Sequence, residues 1–189
     1  CRLVPSENTL SVAKLMPLRF QRMLDIGGAS GTWTIAFLLA VPDATAVLFD
    51  LPQVVPLARE RLRRARLADR VTLVPGDYSI DPMPGGADFA WLSAIVHQDS
   101  REQNRALYAR IYSALAPGGV LAIRDVVMDA GRTQPPVGAM FAVNMLVGTE
   151  GGGTFTFEEF REDLESAGFS RIELLHRDEG MNSLVRARK

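Results

Sequence analysis

The sequence predicts an α/β fold built on a doubly wound, mainly parallel sheet. Three observations lead there. Continuously apolar runs such as "TAVLFD" and "ADFAWLSAIV" alternate with longer segments of helical spacing, as expected of strands covered on both faces by crossover helices. A glycine bend, "LDIGGASGTWT", separates the first strand from the next helix, where such a sheet turns its strand ends toward a ligand. The last two apolar segments, "RIELLHR" and "NSLVRARK", are joined only by "DEGM". That link is too short for a parallel crossover, so this pair is expected to run antiparallel.

In chain order, residues 9–22 read as a helix leading into a first strand over 23–26. Residues 31–40 form a helix stopped by Pro42, and 45–50 a strand. Pro52 opens a helix that runs to about Leu67, since proline suits a first helical turn. Strands follow over 71–77 and 87–96, then a helix over 101–115 closed by Pro117-Gly118-Gly119, then a strand over 120–128. Residues 137–147 and 157–167 are helices, the second ended by Gly168. Strands over 171–177 and 182–189 complete the reading. With no internal repeat, low-complexity segment or linker, residues 1–189 are expected to form one domain.

The composition is 47% hydrophobic and 23% charged with a net charge of −1, enough for a sizeable core and without the basic surplus that holds nucleic acid or an anionic membrane. The basic stretch "RERLRRARLADR" has helical spacing and reads as a solvated helix face, with an anion patch as the alternative. Cys1 is the only cysteine, which rules out an intrachain disulfide and a cysteine metal cluster and fits a reducing, cytoplasmic setting. No metal is expected. No apolar stretch reaches the ~18 residues of a membrane span and no signal peptide is visible. The expectation is therefore no nucleic-acid and no membrane partner. The chain opens on Cys rather than Met, so it is expected to be part of a longer protein.

Gly27, Gly28 and Gly31 allow a sharp bend and close approach of a ligand. Such loops also serve dinucleotides, but here the spacing is Gly27-x-x-x-Gly31 rather than G-x-G-x-x-G, and Asp25 precedes the bend. A carboxylate there suits a cationic ligand better than a pyrophosphate. Asp50 ends the second strand, nineteen residues after Gly31, where a carboxylate can accept both hydroxyls of a ribose. Asp77 in "PGDY" can hold an adenine amino group, with Tyr78 packing on the base. Any one of these acids is equally explained as a helix cap or turn residue. Together, at consecutive strand ends beside a glycine bend, they point to a nucleoside site.

These motifs, with "LFDLPQVV", "HQDS", "LAPGGVLAIRD" and "EGGGTFTFEEFREDLESAGF", resemble the catalytic domain of the class I S-adenosylmethionine-dependent O-methyltransferases, which methylate phenols and related small molecules in plants and in bacterial secondary metabolism. The resemblance implies a Rossmann-like sheet of seven strands in the order 3-2-1-4-5-7-6 with strand 7 antiparallel. It implies S-adenosylmethionine as cofactor, S-adenosylhomocysteine as product and a small, aromatic hydroxyl as acceptor. Leu51 and Ser93 then lie beside the cofactor. His97 is the general base, an attractive one because a phenol has a pKa of ~10 and imidazole accepts protons near neutrality. Asp125 stands where the family orients that histidine, although it is shorter than the glutamate common in the plant enzymes. A second flanking acid is missing from "FTF". The alternative for His97 is a cap on the helix that begins near Arg101, or a residue facing water.

The family builds its acceptor pocket on the helix after strand 5, which here carries Met140, Phe141, Asn144, Met145 and Thr149. Ordinary core packing is the competing reading for most of them. Asn144 stands out because an amide in an apolar stripe is costly to bury without a partner. "EGGG" reads either as a mobile lid or as a plain connection. Trp33 is expected to be a packing residue, and His176 an edge or surface residue. The N-terminal winged-helix domain through which family members form homodimers has no match here. Two other functions stay open: a relative that binds S-adenosylmethionine without transferring methyl groups, and an NAD-dependent oxidoreductase, against which Asp25 and the glycine spacing argue.

Overall fold

A computed structural model of the chain describes Leu15 and residues 19–189. The main sheet contains β1 (Arg22–Ile26), β2 (Thr45–Asp50), β3 (Val71–Pro75), β4 (Ala87–Ser93), β5 (Leu115–Asp125), β8 (Ser170–His176) and β9 (Ser183–Arg188). Two short strands, β6 (Val127–Met128) and β7 (Phe155–Thr156), form a separate parallel pair. The helices are α1 (Thr32–Ala40), α2 (Val55–Ala65), α3 (Arg101–Ala114), α4 (Pro136–Gly148) and α5 (Phe157–Ser166). The sheet order is β3-β2-β1-β4-β5-β9-β8. Counted along this sheet alone, that is the expected 3-2-1-4-5-7-6. The β1, β2 and β3 ladders are parallel, while β9 pairs antiparallel with both β5 and β8. The helix expected over residues 9–22 lies largely outside the described residues, and at its end Arg22 already belongs to β1.

The chain packs as two compact units. The first ends at Trp91 and also holds Ala114–Gly119. Within it β1 and β2 are buried almost end to end, which explains their unbroken apolar sequence. Rings of Phe20, Trp33, Phe37, Phe89 and Trp91 pack together, with Trp33 and Phe37 each 4.9 Å from Trp91. Trp33 is thus a packing residue, as expected. In α2 the residues Val55, Ala58 and Leu62 face inward. Arg63 and Arg64 sit on the exposed face and pair with Glu60 at 3.1 and 2.7 Å. Arg70 departs from the solvated-face reading: its guanidinium donates to the carbonyls of Leu38, Val41 and Ala44 and so caps the end of α1.

The second unit holds Leu92–Ser113 and Val120–Lys189. In α3 the buried face is Asn104, Leu107, Tyr108 and Ile111, the spacing of one helical stripe. Thr156 and Glu159 form a reciprocal capping box at the start of α5. Arg101 donates to Asp163 at 2.8 and 2.9 Å and to Glu162 at 2.9 Å, while Arg105 reaches Asp163 at 3.0 Å. Helix α4 meets β6 through Gly138, where a Cβ would stand 2.5 Å from Met128 Sδ. Strand β8 lies at one edge of the sheet. Its pairing with β9 slips twice, Arg171 takes a φ of +49°, and Glu173 pairs with Arg186. His176 is half-buried on this edge strand.

Several boundaries differ from the sequence reading, each for a local reason. Residues 52–54 form a turn, with Val54 N–H donating to Leu51 O at 2.9 Å, so α2 starts at Val55. The third strand ends at Pro75 because Gly76 and Asp77 enter a turn. The fourth ends at Ser93, where Ala94 adopts a φ of +58°. The strand expected over 120–128 begins at Leu115, absorbs Pro117–Gly119 and ends at Asp125, leaving Val127 and Met128 to pair with β7. Among the described residues no helix is long and apolar enough to cross a membrane.

Candidate active site

In the first unit, the chain leaves β1 through a bend in which Gly27, Ala29 and Gly31 have φ of +63°, +46° and +74°. Gly27 N–H donates to Phe49 O at 2.9 Å and Gly31 N–H to Gly28 O at 2.8 Å. Gly28 leaves no room for a side chain: a Cβ would stand 2.7 Å from Leu48 Cγ and 2.9 Å from the Asp25 carboxyl. Asp50 closes the bend from the end of β2. One carboxylate oxygen accepts from Ala29 N–H and the other from Leu51 N–H, both at 2.7 Å. Each oxygen keeps acceptor capacity for a hydroxyl. Gly76 N–H donates to Asp50 O at 2.9 Å, which brings the turn after β3 alongside. There Asp77 accepts from Ser79 N–H at 2.8 Å and Ser79 Oγ at 2.5 Å, and its own N–H donates to Asp81 at 2.8 Å. Asp77 and the half-buried Tyr78 therefore sit on a defined turn.

Asp25 lies beneath the bend, 1% exposed, and accepts from Thr34 Oγ1 at 2.5 Å and Thr34 N–H at 3.2 Å. It ties β1 to the first turn of α1. Burial pushes its pKa up to about 7, against the lowering effect of the Thr34 bonds and with a further push from the charge of Asp50. The consequence for stability has a definite sign. Between about pH 4 and 7 the native protein holds a proton that the unfolded chain, with a carboxyl near 3.8, releases. Stability contributed by this site is therefore full below that window and falls through it as pH rises, by up to about 4 kcal/mol. Urea midpoints of wild type and Asp25→Asn, compared at pH 5 and pH 8, are expected to show this extra pH dependence only in the wild type. Parallel pH profiles would refute it.

In the second unit, His97 sits in a 3-10 turn, Val96–Gln98, that follows β4. Its Nδ1 lies 2.9 and 3.1 Å from the two carboxylate oxygens of Asp125. Asp125 ends β5, is 2% exposed and also accepts from Val126 N–H at 2.8 Å. The shorter acid therefore does reach the imidazole. An Nδ1–H donated to Asp125 leaves Nε2 as the proton acceptor. The ring of Phe141 stands edge-on to the imidazole at 4.8 Å. His97 does not cap α3. That role belongs to Ser100 and Gln103, whose side chains each accept from the other's backbone N–H, at 3.2 and 2.8 Å respectively. Ser93 Oγ accepts from Arg124 Nη1 at 3.0 Å. Burial pulls the Arg124 pKa down, opposed by the charges of Asp125 and Asp178. Among the described residues, no group of three or more His, Cys, Asp or Glu side chains could hold a metal ion.

Helix α4 corrects one expectation. Asn144 is exposed, so the cost of burying its amide gives no reason for a partner. Met140 is 67% exposed, as are Val137, Val143, Leu146 and Val147 at 53–83%. Phe141, Met145 and Thr149 are half-buried. Thr149 Oγ1 donates to Met145 O at 2.7 Å and accepts from Gly152 N–H at 2.8 Å, which closes the end of the helix. Two of the "EGGG" glycines, Gly151 and Gly152, serve close packing. A Cβ on Gly152 would stand 2.4 Å from His97 O, and Gly153 N–H donates to that same carbonyl at 2.9 Å. Sequence reasoning passed over Gly152, Asn104 and Arg61. The first was hidden by reading a glycine run as flexible, and the second occupies an apolar position of α3. Arg61, which donates to the Ser30 and Thr32 hydroxyls of the bend, lies in the basic stretch whose spacing reads as a solvated face.

The family model for an O-methyltransferase domain matches residues 3–170. A 3-hydroxy-5-methyl-1-naphthoate 3-O-methyltransferase of Streptomyces sahachiroi is 34% identical over 152 residues, which is 80% of this chain and 44% of that protein. Human N-acetylserotonin methyltransferase, solved in complex with SAM, is similar with a TM-score of 0.86 and 28% identity, over 97% of this chain and 52% of that one. An O-methyltransferase family 2 protein from Planctomyces limnophilus, solved with apigenin, gives 0.83 and 30%, over 89% of this chain and 50% of that one. The chain spans about half the length of the curated relatives it matches.

Proposed function

We propose a reaction from one premise: the chain belongs to the O-methyltransferase domain family. It transfers a methyl group from S-adenosylmethionine to a hydroxyl of a small aromatic acceptor, with His97 as general base. The pairing of His97 with Asp125 carries the reading. The bend fits the nucleoside, because its strand-end carboxylate at Asp50 is fixed by two backbone N–H groups and retains acceptors for ribose hydroxyls. Gly27, Gly28, Gly31 and Leu51 shape that cradle, Asp25 braces it from below, and Asp77 with Tyr78 addresses the base. When bound, the cofactor supplies an electrophilic methyl on a sulfonium and leaves as S-adenosylhomocysteine. Nε2 of His97 takes the acceptor's hydroxyl proton as attack begins, and Asp125 steadies the imidazolium that results.

Met140, Phe141, Met145 and Thr149 with the exposed Asn144 form the acceptor face in this reading. The named relatives act on a hydroxynaphthoate and on N-acetylserotonin, or bind apigenin, which supports an aromatic acceptor here. Residues 1–189 serve as the catalytic domain of a longer cytoplasmic homodimer, assembled through an N-terminal winged-helix domain. In this reading the exposed apolar residues of α4 are covered in the homodimer. Calorimetry tests the cofactor: S-adenosylhomocysteine is expected to bind with measurable heat and NAD to give none. Binding of NAD in place of S-adenosylhomocysteine would overturn the proposal in favour of a dehydrogenase.

A further inference from the structure

Asn104 occupies an apolar position of α3, on the stripe completed by Leu107, Tyr108 and Ile111, and is 1% exposed. Its Nδ2 donates to Val96 O at 2.9 Å and to Asp99 O at 3.2 Å. Its Oδ1 is buried without a partner. Turning the amide over would set that oxygen against two carbonyls, so the orientation is fixed by what the nitrogen holds. An orphaned acceptor in a core stripe is a cost that a leucine would avoid, and such a group calls for a reason. The two carbonyls supply one, because they flank His97 and Gln98. Locally the turn is held by Gln98 N–H to Ile95 O at 2.8 Å, Asp99 N–H to Val96 O at 3.4 Å and Gln98 Nε2 to Ala94 O at 3.0 Å. Across it, Gly153 N–H holds the His97 carbonyl at 2.9 Å, and Gly152 leaves no space for the turn to shift.

We infer that Asn104 is a positioning residue for His97, clamping the 3-10 turn from α3 while Gly152 and Gly153 strap it from the opposite side. The inference rests on His97 being the base. Asn104 acts through the Val96 and Asp99 carbonyls and sets the angle at which the imidazole meets Asp125.

The test separates the two ideas. Imidazole ¹H–¹⁵N spectra of the chain need no acceptor, and with only two histidines the His97 signals are assigned by their loss in His97→Ala. Wild type is expected to show a slowly exchanging Nδ1–H held by Asp125. Asn104→Leu, which removes both clamping bonds along with the orphaned oxygen, should lose or broaden that resonance while the chain stays folded. Gly152→Ala, pressing on the same turn from the other side, should do likewise and stands in should the leucine variant fold poorly. With 3-hydroxy-5-methyl-1-naphthoate as acceptor probe, kcat should fall about 10- to 100-fold with little change in KM, the scale of a misplaced catalytic group. In a His97→Ala background the second substitution should cost nothing more. An unaltered His97 resonance in both variants overturns the clamp. Full activity of His97→Ala overturns the base assignment instead and leaves the spectroscopic result standing.

Discussion

Replacing His97 with alanine is expected to slow methyl transfer by about 10²- to 10⁴-fold, the usual yield of a positioned acid or base. Cofactor affinity should hardly change, since the carboxylate assigned to the ribose, Asp50, is held by the Ala29 and Leu51 N–H groups. Asp125→Asn should reach a comparable deficit by another route. The carboxamide presents N–H to Nδ1, or keeps its oxygen where one carboxylate oxygen accepts from both Nδ1–H and Val126 N–H and sets an NH2 in place of the second oxygen, 3.1 Å from Nδ1. The first arrangement moves the imidazole proton to Nε2 and removes the base without removing the ring. Steady-state kinetics paired with calorimetry on S-adenosylhomocysteine checks both variants. A His97→Ala protein with wild-type kcat would mean that bringing the reactants together is sufficient.

Asp50→Ala should weaken S-adenosylhomocysteine binding by about 100-fold or more. Two charge-assisted hydrogen bonds to ribose hydroxyls, each worth at least ~1.5 kcal/mol, account for that factor. The bend suffers as well, because Ala29 and Leu51 lose the acceptor that orients their N–H groups. Asp50→Asn separates the two contributions: its single oxygen can satisfy only one of those N–H groups, so an intermediate affinity is expected. Wild-type affinity in Asp50→Ala, measured by calorimetry, would remove the ribose from this site.

Much of this architecture was legible in the residues. Buried parallel strands announce themselves by unbroken apolar runs, and "DEGM" is too short to do anything but reverse the chain. The glycine bend and Asp50 were legible because only a few residue types satisfy a left-handed φ or offer a carboxylate at a strand end. Strand ends were less so. Ala94 carries no hint that it will adopt a positive φ, and "PGG" looks like an interruption although β5 runs through it. The supports of His97 were invisible for a related reason. Asn104 and Gly152 matter through contacts to backbone carbonyls, and a sequence does not display those. Asn144 failed in the opposite direction: helical spacing identifies a face but cannot tell whether anything covers it.

The slips in β8 bear on how the molecule behaves at high concentration. An outermost strand with regular spacing offers its free amide row as a template for a stranger's backbone. Here two breaks in register, a left-handed arginine and a charged pair spoil that template. Regularising Arg171 to a β-branched residue would smooth this rim, and fibrous or amorphous aggregation from it is the hazard that the irregular rim holds off.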